Sequence, residues 1–370
     1  MRKKHFLFAS VLALLCGSST LHAQDFKLTS SGYFKNQGVD VMAFDDIYPE
    51  GHQGGVCIIM NGHRVATNGD IRLEATPGQW QPVPKQLDRK LGDNSITATL
   101  CYPDSSRHLT GFNPMIYPDL HLIYTVNVES KGKNIEVTVD LDRPIPQEFI
   151  GKVGFNLEFF PGSLFGKPWI MDGQSGIFPQ QPNSPLMTTQ PNYLHTGNYH
   201  DGKKSLADMD KLIGKGYSPI VADDIISEPY AKGTKFTSRP DDPYNKVTIE
   251  SLSGDLQLFD GRMNHNNGWF VLRSNIKPGV TKGAVKWIIT PNVVADWMYQ
   301  PVIQTSQIGY HPTQDKEAVI EMDIRDNRKE TAQIIRIDAD GEKVVKNVTP
   351  ANWGKFLRYN YCLLYTSPSP

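Results

Sequence analysis

Leu120-His121-Leu122-Ile123-Tyr124-Thr125-Val126-Asn127-Val128-Glu129, then Ser130-Lys131-Gly132-Lys133-Asn134, then Ile135-Glu136-Val137-Thr138-Val139-Asp140-Leu141 is the stretch that decides the fold. β-Branched and aromatic residues recur at every second position on either side of a short polar segment. Successive side chains of a strand point to opposite faces, so this period predicts two half-buried strands. The glycine-containing segment between them predicts the turn of an antiparallel hairpin.

Working outward, further strand-like runs are Val56-Cys57-Ile58-Ile59-Met60, the alternating Ile71-Arg72-Leu73-Glu74-Ala75, and residues 95–102 and 153–160. Others are Val247-Thr248-Ile249-Glu250, Leu256-Gln257-Leu258-Phe259, Trp269-Phe270-Val271-Leu272 and residues 284–289. Many strands without helical periods between them predict an all-β protein with a large antiparallel β-sandwich rather than a βαβ fold. Residues 161–244 are crowded with Pro, Gly, Asn and Gln and cannot run as regular strands throughout. They are expected to form a long excursion over one face, with a modest helix at 205–213. Residues 291–301 carry apolar side chains between prolines and are expected to pack as a connector.

The N-terminus reads as a secretory signal. Arg2, Lys3, Lys4 and His5 precede an apolar run over 6–16 that is too short to span a bilayer, and cleavage is expected after Ala23. Export to the periplasm, cell surface or medium follows. Lipid anchoring at Cys16 is the alternative, against which Leu15 stands where a small residue is usual. No other segment is long and apolar enough for a membrane span. The chain has 38 basic and 39 acidic residues, with no basic cluster interleaved with aromatics, so nothing calls for nucleic acid. Aromatics at 10%, with 31 Gly and 26 Pro, suit a turn-rich β protein that handles a neutral ligand such as a sugar. They suit an ordinary sandwich equally well.

An oxidising compartment leaves a Cys57–Cys101 disulfide open, beside the alternative of two buried thiols. Trp80, Trp169, Tyr193 and Tyr199 lie in loop-like segments and are the candidate sugar-stacking residues, packing under long loops being their other use. Glu158 alternates with Phe155, Leu157 and Phe159, which predicts that it points outward on a polar face rather than serving as a buried acid. The pairs Asp45-Asp46 and Asp223-Asp224 read as solvated turn residues. His195, His200 and His265 have no zinc spacing, and Asp201, Asp208 and Asp210 no EF-hand spacing. No metal site or cofactor is expected, and no nucleophile elbow, P-loop or dinucleotide fingerprint occurs.

Gln307-Ile308-Gly309-Tyr310-His311-Pro312, followed by Lys316-Glu317-Ala318-Val319-Ile320, resembles the opening of the immunoglobulin-like module that precedes the catalytic barrel of family 9 glycoside hydrolases, the cellulases. Ser306 stands where that family usually has Asn. The likeness continues through Ala332-Gln333-Ile334-Ile335-Arg336-Ile337 and Trp353-Gly354-Lys355-Phe356-Leu357-Arg358-Tyr359-Asn360-Tyr361. Residues 24–300, on Val153-Gly154-Phe155-Asn156-Leu157-Glu158-Phe159-Phe160-Pro161-Gly162, resemble the β-supersandwich found N-terminal to helical barrels in bacterial polysaccharide enzymes. Cys362-Leu363-Leu364-Tyr365-Thr366-Ser367-Pro368-Ser369-Pro370 resembles one translated frame of a transposase sequencing adapter and is expected to lie outside the fold. The expected organisation is a signal at 1–23, a supersandwich at 24–300 and a partial immunoglobulin-like sandwich at 301–361. A complete sandwich of that kind needs about 100 residues and seven strands.

The resemblance implies the non-catalytic N-terminal part of a secreted endo-β-1,4-glucanase-type enzyme, whose partners are its own downstream (α/α) barrel and β-glucan or a related plant polysaccharide. Family 9 chemistry needs two carboxylates about 6.5–9.5 Å apart, and no residue here matches the family's catalytic pair. Two alternatives stand beside it: a carbohydrate-binding module that holds glycan through loop aromatics, and a sugar epimerase-like supersandwich.

Overall fold

The computed structural model describes residues 25–45, 54–74, 76–77, 84–102, 120–182, 228–263, 268–328, 330–356 and 359–366. The signal segment and the helix expected at 205–213 lie outside them. The all-β expectation holds: two nine-stranded antiparallel sheets lie face to face.

The first sheet runs, edge to edge, Lys27–Leu28, Phe34–Asn36, Val39–Ala43, Val56–Met60, His63–Leu73, Val153–Phe159, Phe270–Asn275, Leu256–Asp260 and Ala231–Gly233. The second runs Gln174–Ile177, Pro168–Met171, Lys235–Ser238, Val247–Ser251, Val285–Pro291, Asn134–Leu141, Leu122–Lys131, Ser95–Tyr102 and Lys85–Leu91. The predicted hairpin sits at its heart. Lys131 pairs with Asn134 across a tight turn in which Gly132 has φ +66°, a conformation a side chain would strain.

The sheets differ in how they use their outer faces. In the second, Ser95–Tyr102, Asn134–Leu141 and Val285–Pro291 alternate strictly between buried and half-buried residues, the pattern of one core face and one wet face. In the first, Val153–Phe159 and most of His63–Leu73 are buried on both faces. Phe155 meets Trp287 edge to face, with ring centroids 5.0 Å apart, and Phe159 meets Phe236 in the same way. Such pairs contribute about 0.5–1.5 kcal/mol beyond the area they bury. Trp287 Nε1 donates to Ser274 Oγ at 3.0 Å, so the largest core side chain leaves no polar atom unpaired.

Beyond residue 301, Val302–Gln304, Lys316–Asp323, Tyr359–Thr366 and Ala351–Phe356 form a four-stranded sheet. Ala332–Asp338 and Gly341–Val348 form a separate ribbon. Gly309 has φ +78° and its amide bonds Ser306 O, the tight bend expected before the strand at Lys316. The small core is Ile320, Met322, Cys362 and Leu364. Residues 362–366 of the adapter-like tail continue a strand of this sheet. Tyr359–Thr366 pairs with Lys316–Asp323 along its whole length, from Asp323↔Tyr359 to Lys316↔Thr366. The reason is local: Asn360, Cys362 and Leu364 recur at period two, and all three are buried.

Candidate functional site

The connector after the second sheet is packed, as expected. It crosses the tips of two hairpins of the first sheet. Asn61 and Gly62 both have positive φ (52° and 85°), the two-residue turn that joins Val56–Met60 to His63–Leu73. Gly38, with φ +66°, turns Phe34–Asn36 into Val39–Ala43. A Cβ on Gly38 would lie 2.7 Å from the Trp297 ring, and one on Gly62 would lie 3.1 Å from the Tyr299 ring. Each ring therefore rests on bare backbone. Gln37 Nε2 donates to Trp297 O at 2.7 Å, and the Arg325 guanidinium donates to the same oxygen.

From these two rings an aromatic row continues into the small sheet. Trp297–Tyr299, Tyr299–Tyr359, Tyr359–Tyr361 and Tyr361–Trp353 have ring centroids 6.3, 5.2, 6.0 and 5.9 Å apart. Glu321 clamps the row: its two carboxylate oxygens accept the Tyr299 and Tyr361 hydroxyls, each at 3.0 Å. Asp323 accepts the Tyr299 amide at 3.1 Å and the Arg325 guanidinium at 2.8 and 3.0 Å. Burial pushes the Asp323 carboxyl up, but the hydrogen bonds from Arg325 and Tyr299 and the Arg325 charge hold it below its ordinary value. A cleft of about 490 Å³ opens here. Lys27, Lys35, Gln37 and Asp40 line it from the large sandwich, and Trp297, Tyr299 and Tyr359 from the connector and small sheet. Half-exposed rings beside amides and charges can bind a ligand with one apolar face and a polar rim.

A second cluster is buried in the first sheet, about the register partners Asn156, Asp70 and Arg273. Asn156 pairs with Asp70 on one side and Arg273 on the other, and Gly154 pairs with Arg72. The Arg273 guanidinium donates to Glu74 Oε1 at 3.2 Å, Asn156 Oδ1 at 3.1 Å, Asn275 Oδ1 at 2.7 Å and the Glu74 and Lys152 carbonyls at 3.0 Å. Asn156 Nδ2 donates to Glu74 Oε1 at 2.6 Å, and Tyr124 OH to Asp70 Oδ1 at 2.9 Å. Burial raises Glu74 to about 7 against the opposing pull of Arg273, and raises Asp70 to about 6 against that of Arg72. Two carboxyls near neutrality can exchange protons at physiological pH. One oxygen of each, Asp70 Oδ1 and Glu74 Oε1, already accepts two hydrogen bonds, and the cluster braces three strands.

The residues singled out in the sequence fare unevenly. Trp80, Tyr193, Tyr199, Asp46, His195, His200, Asp201, Asp208, Asp210, Asp223, Asp224 and His265 lie outside the described residues. Trp169 is buried in the main core at 6% exposure, and a Cβ on Gly176 would lie 2.5 Å from its ring. The face a sugar would need is thus taken. Asp45 is exposed and 3.9 Å from Arg89, a surface ion pair. Cys57 is buried in the first sheet and Cys101 half-buried in the second, and the structure holds both as thiols, with no bridge between them. Glu158 does project opposite Phe155, Leu157 and Phe159, but the expectation of a solvated face is corrected. It is 4% exposed and accepts Asn68 Nδ2 at 2.6 Å.

Sequence reasoning missed the row Trp297, Tyr299, Tyr359, Tyr361 and Trp353. Tyr359 and Tyr361 at period two, and the Asn61-Gly62 dipeptide between apolar runs, were the signals available.

No protein-family model matches the chain. No curated protein matches it. Among solved structures, a galactose mutarotase-like protein from Lactobacillus casei is 11% identical over 70% of this chain and 98% of its own, with a TM-score of 0.33. A galactose mutarotase related enzyme from Lactobacillus acidophilus is 9% identical over 71% and 98%, with a TM-score of 0.31. A Synechocystis protein is 11% identical over 78% and 98%, also at 0.31. At these scores the likenesses carry no statement about activity.

Proposed function

We propose that this chain is a carbohydrate-binding β-sandwich region of an exported protein that handles polysaccharides, and that the cleft over Trp297, Tyr299 and Tyr359 holds the sugar. One observation carries the reading: half-exposed rings in a continuous row, backed by turn glycines and clamped by Glu321, beside amide and charged groups. A pyranose presents an apolar C–H face and a hydroxyl rim, which is the complement of that surface. The resemblance of 307–312 to the cellulase module supports β-1,4-glucan or a related plant polysaccharide as the polymer, and the division into 24–300 and 301–361.

A second reading is that the small sheets pack against a further domain. It rests on their exposed apolar side chains, Ile303, Ile337 and Phe356 among them. Affinity electrophoresis of the full chain through gels containing soluble β-glucan or xylan separates the two. Retardation that Tyr359→Ala weakens about tenfold, or roughly 1.4 kcal/mol, supports the sugar site. Unretarded migration with every glycan leaves the packing reading in its place.

A further inference from the structure

Two lysines stand side by side at the mouth of the cleft. Lys27, on the edge strand, and Lys35, on its neighbour, are direct partners in the antiparallel register, and both line the cavity. Opposed side chains of this kind have Cβ atoms about 4.5–5.5 Å apart, where like charges repel. Neither lysine has a carboxylate within ion-pair distance among the described residues.

Three carboxylates, Asp25, Asp40 and Asp323, share the lining of the cleft. Asp323 is held by Arg325 and Tyr299. Asp40 opposes Lys35 from the strand on the side away from Lys27. Asp25 Oδ1 lies by the second-sheet turn, 3.5 Å from where a Cβ on Gly132 would be. Strands are about 4.8 Å apart. Asp40 thus stands one strand beyond Lys35 and two beyond Lys27, so that an anion between the two lysines faces two cationic partners at once.

We infer that the cleft takes an acidic sugar, whose ring meets Tyr299 and Tyr359 while its carboxylate or sulfate ester lies between Lys27 and Lys35. This rests on the glycan-binding reading above. Ammonium groups act as point charges without the fixed fork of a guanidinium, so either anion suits them. Lysine on an edge strand also deters edge-to-edge pairing, a use that would leave no preference for charge.

The test is calorimetric titration of the full chain with oligogalacturonate and its methyl ester, and with dextran sulfate and dextran, at 20 and 200 mM salt. The acid form of at least one pair is expected to bind tenfold or more tighter than its neutral counterpart, with a preference that shrinks as salt rises. In the Lys27→Gln/Lys35→Gln double variant, checked for an unchanged melting temperature, that preference is expected to fall to parity. The two pairs distinguish carboxylate from sulfate. Equal binding of charged and neutral forms, or a preference untouched by the double variant, overturns the inference and leaves the sugar site standing. If none of these probes and no neutral β-glucan or xylan binds, the sugar site itself falls.

Discussion

Arg273 holds together more of this molecule than any charge on its surface. Its guanidinium ties the strand Phe270–Asn275 to the side chains of Glu74 and Asn156 and to the carbonyls of Glu74 and Lys152. Arg273→Ala strands those acceptors away from water, and breaking a buried pair by deleting one partner costs about 3–5 kcal/mol. Because Glu74 can escape by taking a proton, the loss is expected to be larger at pH 8 than at pH 5. Urea unfolding of the two proteins at both pH values measures it, and equal losses would contradict the linkage. Period two in Phe155, Asn156, Leu157, Glu158 and Phe159 told correctly which side chains share a face. It said nothing about what lies over that face, so Glu158 read as solvated when it is buried, as are Arg72 and Glu74 beside it. Burial on the second face of a sheet is a tertiary fact, and alternation along one strand carries no trace of it.

Among elements, the hairpin tips decide whether the cleft exists. Gly38 combines φ +66° with a Trp297 ring in the space a Cβ would need, and with Asn61 Oδ1 at 2.5 Å from that same position. Gly38→Ala is expected to cost about 1–2 kcal/mol for the left-handed backbone alone, and to lift the indole off the turn. A shift in tryptophan emission together with weakened glycan retardation is the expected outcome, and an unchanged spectrum would show that the turn does not seat the ring. The hairpin over residues 120–141 was legible because its strand period and its turn glycine agree. The aromatic row was not, since it is assembled from a connector and two strands distant in sequence. Tyr299 meets the ring of Tyr359 and shares the Glu321 carboxylate with Tyr361. The strand Tyr359–Thr366 shows the converse: a segment that looked foreign to the fold has the alternation of a strand paired on both sides.

At the scale of the whole molecule, the two carboxyls of the buried cluster set how stability responds to pH. The unfolded chain releases the protons of Asp70 and Glu74 near their ordinary values of 3.8 and 4.5, whereas burial makes the folded protein keep them to about 6 and about 7. Between those limits the folded state binds more protons, so stability falls as pH rises, and the loss is complete above the folded values. For Glu74 alone the rise from 4.5 to about 7 corresponds to on the order of 3 kcal/mol. Asp172, Asp242, Asp323 and Asp326 work in the opposite sense. Their carboxyls are held below the ordinary value, so the stability they contribute is present above pH 3.8 and lost on acidification. Stability is therefore expected to peak near pH 4–5, toward the acid end of the usual range for folded proteins. Urea midpoints measured from pH 4 to 8 should decline steadily beyond the peak. Glu74→Gln keeps an oxygen for Arg273 and Asn156 but has no proton to lose, so it should flatten most of that decline. A wild-type midpoint that climbs between pH 5 and 8 would mean that the cluster folds with both carboxylates charged, and that the arginines outweigh burial.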